Sequence, residues 1–476
     1  MNLTDPLPVA YLALEWTIRI AMLVIVTARR SPEEARTWLL FALFLPIPTL
    51  IAFLVVGRPK ATRRRRRRLL EVRELLAHAS GQIAHSHHCS RPQVSPNLTA
   101  AARFVESLSQ FPALGGNAIQ FLSDYGETIT RLVNDIDQST DHVHLTTYTF
   151  ANDATGERIM AALLRAATRG VDCRVIIDAA GSFASASAIE ARLAAGGIAI
   201  VRALPISIFR LRGIRADIRN HRKIAVIDGQ AGYIGSQNIV DEIAASGLVN
   251  KELVIRVEGP VVLELQSVFA ADWFLETGRT LDRIDFFPHE AGNGEITTQL
   301  LASGPEYPLP GPGPLIVALI HGAQRRAILT TPYFIPDDGL VQALKMAARR
   351  GVEVHIILSH ASDSWVVSLA QRSYYEEFLE TGVNIHLYRS GLLHAKHVSI
   401  DEEIVLIGSL NLDMRSFYLN AEASLVCYDR GTAAALGSEQ RRNLEESDRL
   451  TLEQWKKRSF QAKLAQNIAR LFSPLL

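Results

Sequence analysis

Cysteine is almost missing from this chain. Only Cys89, Cys173 and Cys427 occur, odd in number and far apart. Neither a disulfide framework nor a paired CxxC zinc site can be built from them, which fits a reducing compartment. An excess of one charge is missing too: 50 Lys and Arg against 49 Asp and Glu leave a net +1. Bulk charge therefore selects no polyanionic partner, and any electrostatic recognition must be local. No GxxxxGK loop and no carboxylate cluster suited to magnesium is present, which disfavours metal-assisted nucleotide chemistry. Neither a metal nor a cofactor is expected.

What is abundant is apolar. The 476 residues are 48% hydrophobic, with a mean hydropathy of +0.11, and the length favours two domains over one core. The excess lies at the N-terminus, in "VAYLALEWTIRIAMLVIVTA" (9–28) and "TWLLFALFLPIPTLIAFLVVG" (37–57). Each is long enough to cross a hydrocarbon core of about 30 Å as a helix. Glu15 and Arg19 stand one turn apart in the first and can neutralise each other. Pro46 and Pro48 should kink or break the second, so a re-entrant hairpin stands beside two full crossings. No Lys or Arg precedes Arg19 and no small-residue cleavage site follows, so residues 1–60 read as a retained anchor and not a cleaved signal. Six consecutive arginines (63–68) follow. They mark the cytoplasmic side and suit anionic headgroups. Residues 61–110 read as a basic juxtamembrane segment and linker. Their "HSHHCS" (85–90) matches no zinc spacing.

The remainder reads as one α/β unit written twice. "HVHLTTYTF" (142–150) has strand content, "GERIMAALLRAATRG" (156–170) helical periodicity, and "VDCRVIID" (171–178) is a second strand. "AILTTPYFIPDDGLVQALKMAARRGVEVHIILS" (327–359) repeats that order with nearly the same letters. Strand, helix, Arg-Gly-Val and strand make parallel βαβ units. The turn-rich "GPEYPLPGPGPL" (304–315) puts the boundary near Ala302, giving domains 111–302 and 303–476. The expected fold class is thus α/β: two tandem domains in a pseudo-twofold arrangement behind a hydrophobic helical hairpin. Such a pair can build one site from both halves.

Each copy carries a short motif downstream of its unit. "NHRKIAVIDGQAGYIGSQN" (220–238) holds His221, Lys223, Asp228, Ser236 and Asn238, and "LHAKHVSIDEEIVLIGSLN" (393–411) holds His394, Lys396, Asp401, Ser409 and Asn411. Residues two apart on a strand share a face, so each histidine sits beside its lysine. The set suits phosphodiester chemistry. One imidazole can attack phosphorus and the other can protonate a leaving alkoxide. A lysine and an asparagine from each half can hold the non-bridging oxygens.

"HRKIAVID" with "GSQN" and "HAKHVSID" with "GSLN" resemble the paired HxK(x)4D signatures of the phospholipase D superfamily. The closer resemblance is to bacterial cardiolipin synthases. It rests on "ARTWLLFALFLPIP", "TTPYFIPDD", "GLLHAKHVSID", "GSLNLDMRSF" and the terminal "ARLFSPLL". It implies phospholipase D-like domains that transfer a phosphatidyl group through a phosphatidyl-histidine, from one phosphatidylglycerol to a second, giving cardiolipin and glycerol. It matches His221 to the nucleophile and His394 to the acid and then base, an order the pseudo-symmetry leaves open. Lys223, Lys396, Asn238 and Asn411 match phosphate-holding positions, with Ser236 and Ser409 as supporting donors. Asp228 and Asp401 complete the catalytic signatures with a largely structural role. Glu422 matches an acidic residue that orients a site histidine, and Glu252 is its first-half counterpart, here preceded by Lys251 where relatives often have Trp.

Arg210, Arg212, Arg215, Arg219 and Arg222 lead into the first motif. They form a solvated basic loop or gather anionic phospholipid, with Arg215 and Arg219 taken as substrate-binding candidates. The terminal "AKLAQNIARLFSPLL" has Leu464, Ile468, Leu471 and Phe472 at helical spacing. It either docks as core or lies in the membrane interface. The expected protein is a multi-pass enzyme of the bacterial inner (cytoplasmic) membrane, with its catalytic domains on the cytoplasmic side. Its partners are anionic phospholipid and membrane, not nucleic acid, and a homo-oligomer stays open. The alternatives are a hydrolytic phospholipase D or a phosphatidyltransferase with another alcohol acceptor.

Overall fold

The computed structural model describes residues 6–28, 30, 32–55, 63–205, 218–244, 247–281, 292, 294–307 and 311–473. Its N-terminal part is three helices, Pro6–Thr27, Pro32–Phe44 and Pro46–Val55. Within the first, Val9–Thr27 is long and apolar enough to cross a membrane. The second apolar segment is not one spanning helix. It breaks at Leu45, because Pro46 has no N–H to continue the ladder. Arg19 accommodates the break: it pairs with Glu15 at 3.0 Å and donates from Nε to the Leu43 carbonyl at 3.2 Å. The helices share a small core of Met22, Val26, Trp38, Ala42 and Phe53. Leu12, Trp16, Ile20, Val24, Leu40 and Phe44 face outward.

The linker expected at 61–110 is instead part of the globular core. Helix Arg63–Ala84 lays Val72, Leu76 and Ile83 against the helix Val262–Thr277. Its arginine run obscures that stripe in the sequence. Arg65 pairs with Glu276 at 2.9 Å. Arg68 donates to the carbonyls of Leu275, Glu276 and Thr277 at 2.8, 2.8 and 2.9 Å. A cation on the last carbonyls of a helix satisfies orphan acceptors and complements the helix dipole. Only Arg63, Arg64, Arg66 and Arg67 remain exposed. Helix Thr99–Ser109 buries Ala101, Ala102, Val105 and Leu108 in the core of the second half. The histidine-rich stretch between them pairs with the chain at Leu114, where the Gly115 N–H donates to the His88 carbonyl at 2.8 Å.

The duplication appears as one 15-stranded mixed sheet. From its middle outward, the first half runs Leu114–Leu122, Val254–Glu258, Ala231–Gly235, Ile224–Ile227, His142–Thr147, Asp172–Asp178, Ala199–Ala203. The second half runs Ile296–Ser303, Glu422–Cys427, Ile404–Gly408, His397–Ile400, Arg326–Thr331, Glu353–Ser359, Asn384–Tyr388, then an added edge strand Ser447–Leu450. The halves meet where Leu114–Leu122 pairs antiparallel with Ile296–Ser303. These two strands hold equivalent places, so the second copy begins before Ile296. The boundary read near Ala302 falls inside its first strand.

Each βαβ unit is parallel, as its letters predict: His142–Thr147 with Asp172–Asp178, and Arg326–Thr331 with Glu353–Ser359. Asp153 and Asp337 cap the crossover helices Ala154–Thr168 and Asp338–Arg349, each accepting a backbone N–H at 2.8 Å. Gly170 and Gly351 leave them at φ +91° and +90°, the left-handed turn that the repeated Arg-Gly-Val supplies. The sheet folds back so that Ala231–Gly235 and Ile404–Gly408 face each other across a shared core including Ile234, Leu253, Ile407 and Leu425. The closing helix Phe460–Arg470 does not dock by its large apolar residues, which are exposed. Gln466 and Ala469 are its buried positions.

Arg222 holds the seam between the halves. It is fully buried and pairs with Asp272 and Glu306. It also donates to the carbonyls of Ser303 at 2.7 Å and Glu422 at 3.2 Å. Removing one member of a buried charge cluster leaves the others unpaired, at roughly 3–5 kcal/mol. Arg222→Ala is therefore expected to unfold at clearly lower temperature or denaturant than the parent, followed by tryptophan fluorescence in detergent. An unchanged midpoint would contradict the role of this cluster.

Candidate functional site

Both histidines lie on extended chain just before short buried strands, Ile224–Ile227 and His397–Ile400. Each is seated by the opposite half. The His221 N–H donates to the Ala421 carbonyl at 2.8 Å, and the Ala421 N–H returns to Arg219 at 2.9 Å. The His394 and Ala395 N–H groups donate to the Lys251 carbonyl at 2.8 and 2.9 Å. Ala421 and Lys251 immediately precede Glu422 and Glu252. The backbone pairing thus crosses the carboxylates over: His221 Nδ1 meets Glu422 at 3.0 Å, and His394 Nδ1 meets Glu252 at 2.6 Å. With Nδ1–H donated to a carboxylate, Nε2 of each ring is left for a substrate.

The lysines complete the pocket. Lys223 Nζ donates to the His221 carbonyl at 2.8 Å and Lys396 Nζ to that of His394 at 2.5 Å, and both side chains are buried. Burial pushes Lys223 down to about 7, with Lys396 adding to the shift and Glu422 opposing it. Burial likewise lowers Lys396 to about 8, against Glu252 and Glu422. His221 is lowered to about 4, by burial first and by Lys223 and Lys396, with Glu422 opposing. His394 is lowered chiefly by burial. Burial raises the two glutamates, but their histidines outweigh it and hold both below the ordinary value. At neutral pH this is a neutral His221 between ionised carboxylates and titrating lysines. Such an arrangement suits a nucleophile facing a phosphate anion.

Other expected residues divide. Asn411 is buried with Oδ1 lacking a partner among the described residues, while Asn238 Oδ1 accepts from the Thr149 N–H at 3.2 Å. Ser236 and Ser409 are not free donors. Their hydroxyls accept the N–H groups of Leu253 and Ala423 at 3.0 and 3.1 Å, and Ser409 donates to Glu422 at 2.5 Å. They clip the strands that carry the glutamates. Gly235 and Gly408 let those strands pass, since an added Cβ would meet the carbonyl oxygens of Leu253 at 2.5 Å and Ala423 at 2.3 Å. Asp228 and Asp401 stand at the far ends of their strands, away from the pocket. Asp228 accepts the N–H groups of Thr140, Asp141 and His142, each at 2.9 Å. Asp401 accepts those of Gln324, Arg325 and Arg326 at 2.7, 2.8 and 2.9 Å. Their part is to fix a turn, as in the resemblance, and not to meet substrate.

Arg210, Arg212 and Arg215 lie outside the described residues. Arg219 is buried, pairing with Asp178 at 3.3 Å and donating to the Leu204 carbonyl at 3.0 Å. Neither it nor Arg222 is a free headgroup donor. Asp178, which the sequence reading passed over, also accepts the Asn220 N–H at 2.9 Å and so fixes the approach to His221. Its signal was available: an acid closing a parallel strand at its C-terminal end. Tyr148 packs edge-on against His221 at 5.0 Å, with Lys223 5.3 Å from its ring centre. Ser416 donates to Glu422 at 2.8 Å. Both lie inside stretches that stand out in the sequence, Ser416 in "GSLNLDMRSF" and Tyr148 in "HVHLTTYTF", but no spacing singles out either residue. Among the described residues no group of three or more His, Cys, Asp or Glu is placed to hold a metal ion.

Comparison with known proteins gives concordant results. The family described as cardiolipin synthase, PLD-like domain, matches residues 132–273 and 316–443. Cardiolipin synthase A of Pectobacterium atrosepticum is 33% identical over 469 residues, 97% of this chain and 95% of that protein. The Proteus mirabilis protein of the same name is 34% identical over 458 residues, 94% of each. Among solved structures, the phosphatidylserine synthase of Haemophilus influenzae superposes with a TM-score of 0.60 at 16% identity, covering 80% of this chain and 98% of that one. At that identity the likeness is one of fold.

Two outcomes are expected from the geometry. Glu422→Gln and Glu252→Gln keep shape but remove the charge that sets each imidazole, so turnover should fall roughly 10²–10⁴-fold with little change in melting temperature. Wild-type turnover in either variant would remove the orienting role. In pH profiles, kcat/KM should decline as pH rises through about 7 to 8, because Lys223 and Lys396 lose their protons there. The limb in kcat should lie higher, since a bound phosphate favours the charged lysines. A kcat/KM flat to well above pH 9 would contradict this.

Proposed function

The chain belongs to the cardiolipin synthase family of phospholipase D-like proteins, and from that premise we propose that it makes cardiolipin from two molecules of phosphatidylglycerol. His221 Nε2 attacks the phosphorus of the first. The P–O bond to the headgroup glycerol breaks as His394, kept charged by the bound phosphate anion against the effect of burial, gives its proton to the departing oxygen. Lys223, Lys396, Asn238 and Asn411 hold the non-bridging oxygens as negative charge gathers on them. The headgroup hydroxyl of a second phosphatidylglycerol then passes its proton to His394 while its oxygen displaces the P–N bond. Cardiolipin leaves, and both histidines return to their starting states.

The crosswise pairs carry this reading: each imidazole is held by the glutamate of the other half, and the charge of each lysine reaches the other half's histidine. The membrane-associated enzyme is taken to enter the bilayer by its N-terminal hairpin in more than one pass. The exposed Arg63, Arg64, Arg66 and Arg67 beyond the hairpin favour catalytic halves on the cytoplasmic side of a bacterial inner membrane.

Vesicles containing phosphatidylglycerol with a labelled headgroup as the sole reactive lipid should yield cardiolipin and free glycerol in equal amounts. Phosphatidic acid without cardiolipin would mean water is the acceptor and would sink the proposal. His221→Ala and His394→Ala should each abolish transfer. Acid quenching and peptide mass spectrometry should find the phosphatidyl adduct on His221, and an adduct on His394 would reverse the assigned order.

A further inference from the structure

The closing helix Phe460–Arg470 is docked inside out. A surface helix ordinarily turns its apolar stripe to the core. Here the inward side is polar apart from Ala469: Gln466 is bonded to Arg458, Arg470 pairs with Glu377 at 2.9 Å, and Lys463 reaches Glu376 at 3.6 Å. Just past the helix, the Tyr374 and Ser473 hydroxyls meet at 3.3 Å. The outward side is apolar, with Phe460 78%, Leu464 48%, Ile468 49% and Leu471 52% exposed. Spacings of four, four and three place these side chains in one row.

Two apolar neighbours adjoin the helix. The helix packs on Trp365–Arg372, whose first residue, Trp365, is 74% exposed. Phe472, one residue beyond the row, meets Phe41 with ring centres 5.0 Å apart. Phe41 belongs to the apolar N-terminal hairpin, where Leu40, Leu43 and Phe44 are themselves exposed. The row is therefore continuous with the membrane anchor. Lys456 and Lys457 precede the helix, exposed and paired with Glu380 and Glu453 at 3.1 and 3.2 Å, and exposed Trp and basic side chains are the composition of a membrane–water interface.

We propose that Phe460, Leu464, Ile468, Leu471 and Trp365 form a second membrane-contacting surface, which lies in the interface of the bilayer and holds the pocket at headgroup depth. The proposal rests on the hairpin entering that bilayer. Trp365 lies two residues past Asp363, whose carboxylate accepts from the Tyr333 hydroxyl at 2.7 Å and whose charge reaches Lys396. The contact therefore borders the catalytic groups. A substrate whose acyl chains stay in the lipid needs such a short path.

The test uses the full chain in phosphatidylglycerol-containing vesicles, with Cys89→Ser removing the exposed thiol. Single variants Leu12→Cys, Leu464→Cys and Ile468→Cys carry an environment-sensitive fluorophore. Nitroxide-bearing lipid should quench all three, and aqueous iodide none. Quenching of the Leu12 label by lipid with iodide quenching at 464 and 468 would overturn the inference while leaving the hairpin intact. A Leu12 label open to iodide would instead remove the hairpin premise, and the inference with it. Cross-linking between Leu464→Cys chains would assign the row to a second copy and overturn it too. A companion variant, Phe460→Gln/Leu464→Gln/Ile468→Gln, should raise KM about 10-fold on vesicles and leave turnover of short-chain, detergent-dispersed substrate unchanged. Equal losses on both would make the helix merely structural and refute the proposal.

Discussion

The exchange of carboxylates between the halves is the constraint on which the molecule rests. Glu252 and Glu422 are buried, and each holds the histidine of the other copy. An ionised carboxylate taken out of water is tolerable only with its partner in place. Neither half can therefore complete its own interior without the other. The serine clips at Ser236 and Ser409, the glycine passages at Gly235 and Gly408, and the short pairings through Ala421 and Lys251 all hold this exchange in register. Folding and assembly of the site are one event here.

The symmetry is strong in the backbone and weaker in the side chains. Arg222, between the first histidine and lysine, has Ala395 as its counterpart. The seam cluster with Asp272 and Glu306 thus exists on one side alone. Glu422 receives Ser409 and Ser416 besides its histidine, and Tyr148 backs His221. The first histidine has more groups around it, while the second holds the shorter bond to its glutamate, at 2.6 Å against 3.0 Å, and this unequal frame suits a division of labour between attack and proton transfer.

Much of this was legible in the letters. The repeated strand–helix–strand units, the matched His-x-Lys pairs and the proline break at residue 46 all read through local periodicity and chemistry. What could not be read was tertiary. No spacing says that Glu422 serves His221, because the exchange depends on how two copies face each other. Arg65 and Arg68 look like the rest of a solvated run, but the C-terminus of a distant helix claims them. The apolar stripe of Arg63–Ala84 was hidden by that same run, which is why a core helix passed for a linker. Arg219 and Arg222 misled in the same way: a positive charge near a phosphate site suggests contact with it, and only burial reveals a partner behind it.

The central joint between Leu114–Leu122 and Ile296–Ser303 has a consequence for concentration. Two separate copies meeting edge to edge would assemble a shared pocket only as fast as they found each other in a crowded bilayer. Joined in one chain, the halves face each other at an effective concentration in the millimolar range typical of short tethers. Dilution in the membrane then cannot dissociate the two halves of the pocket.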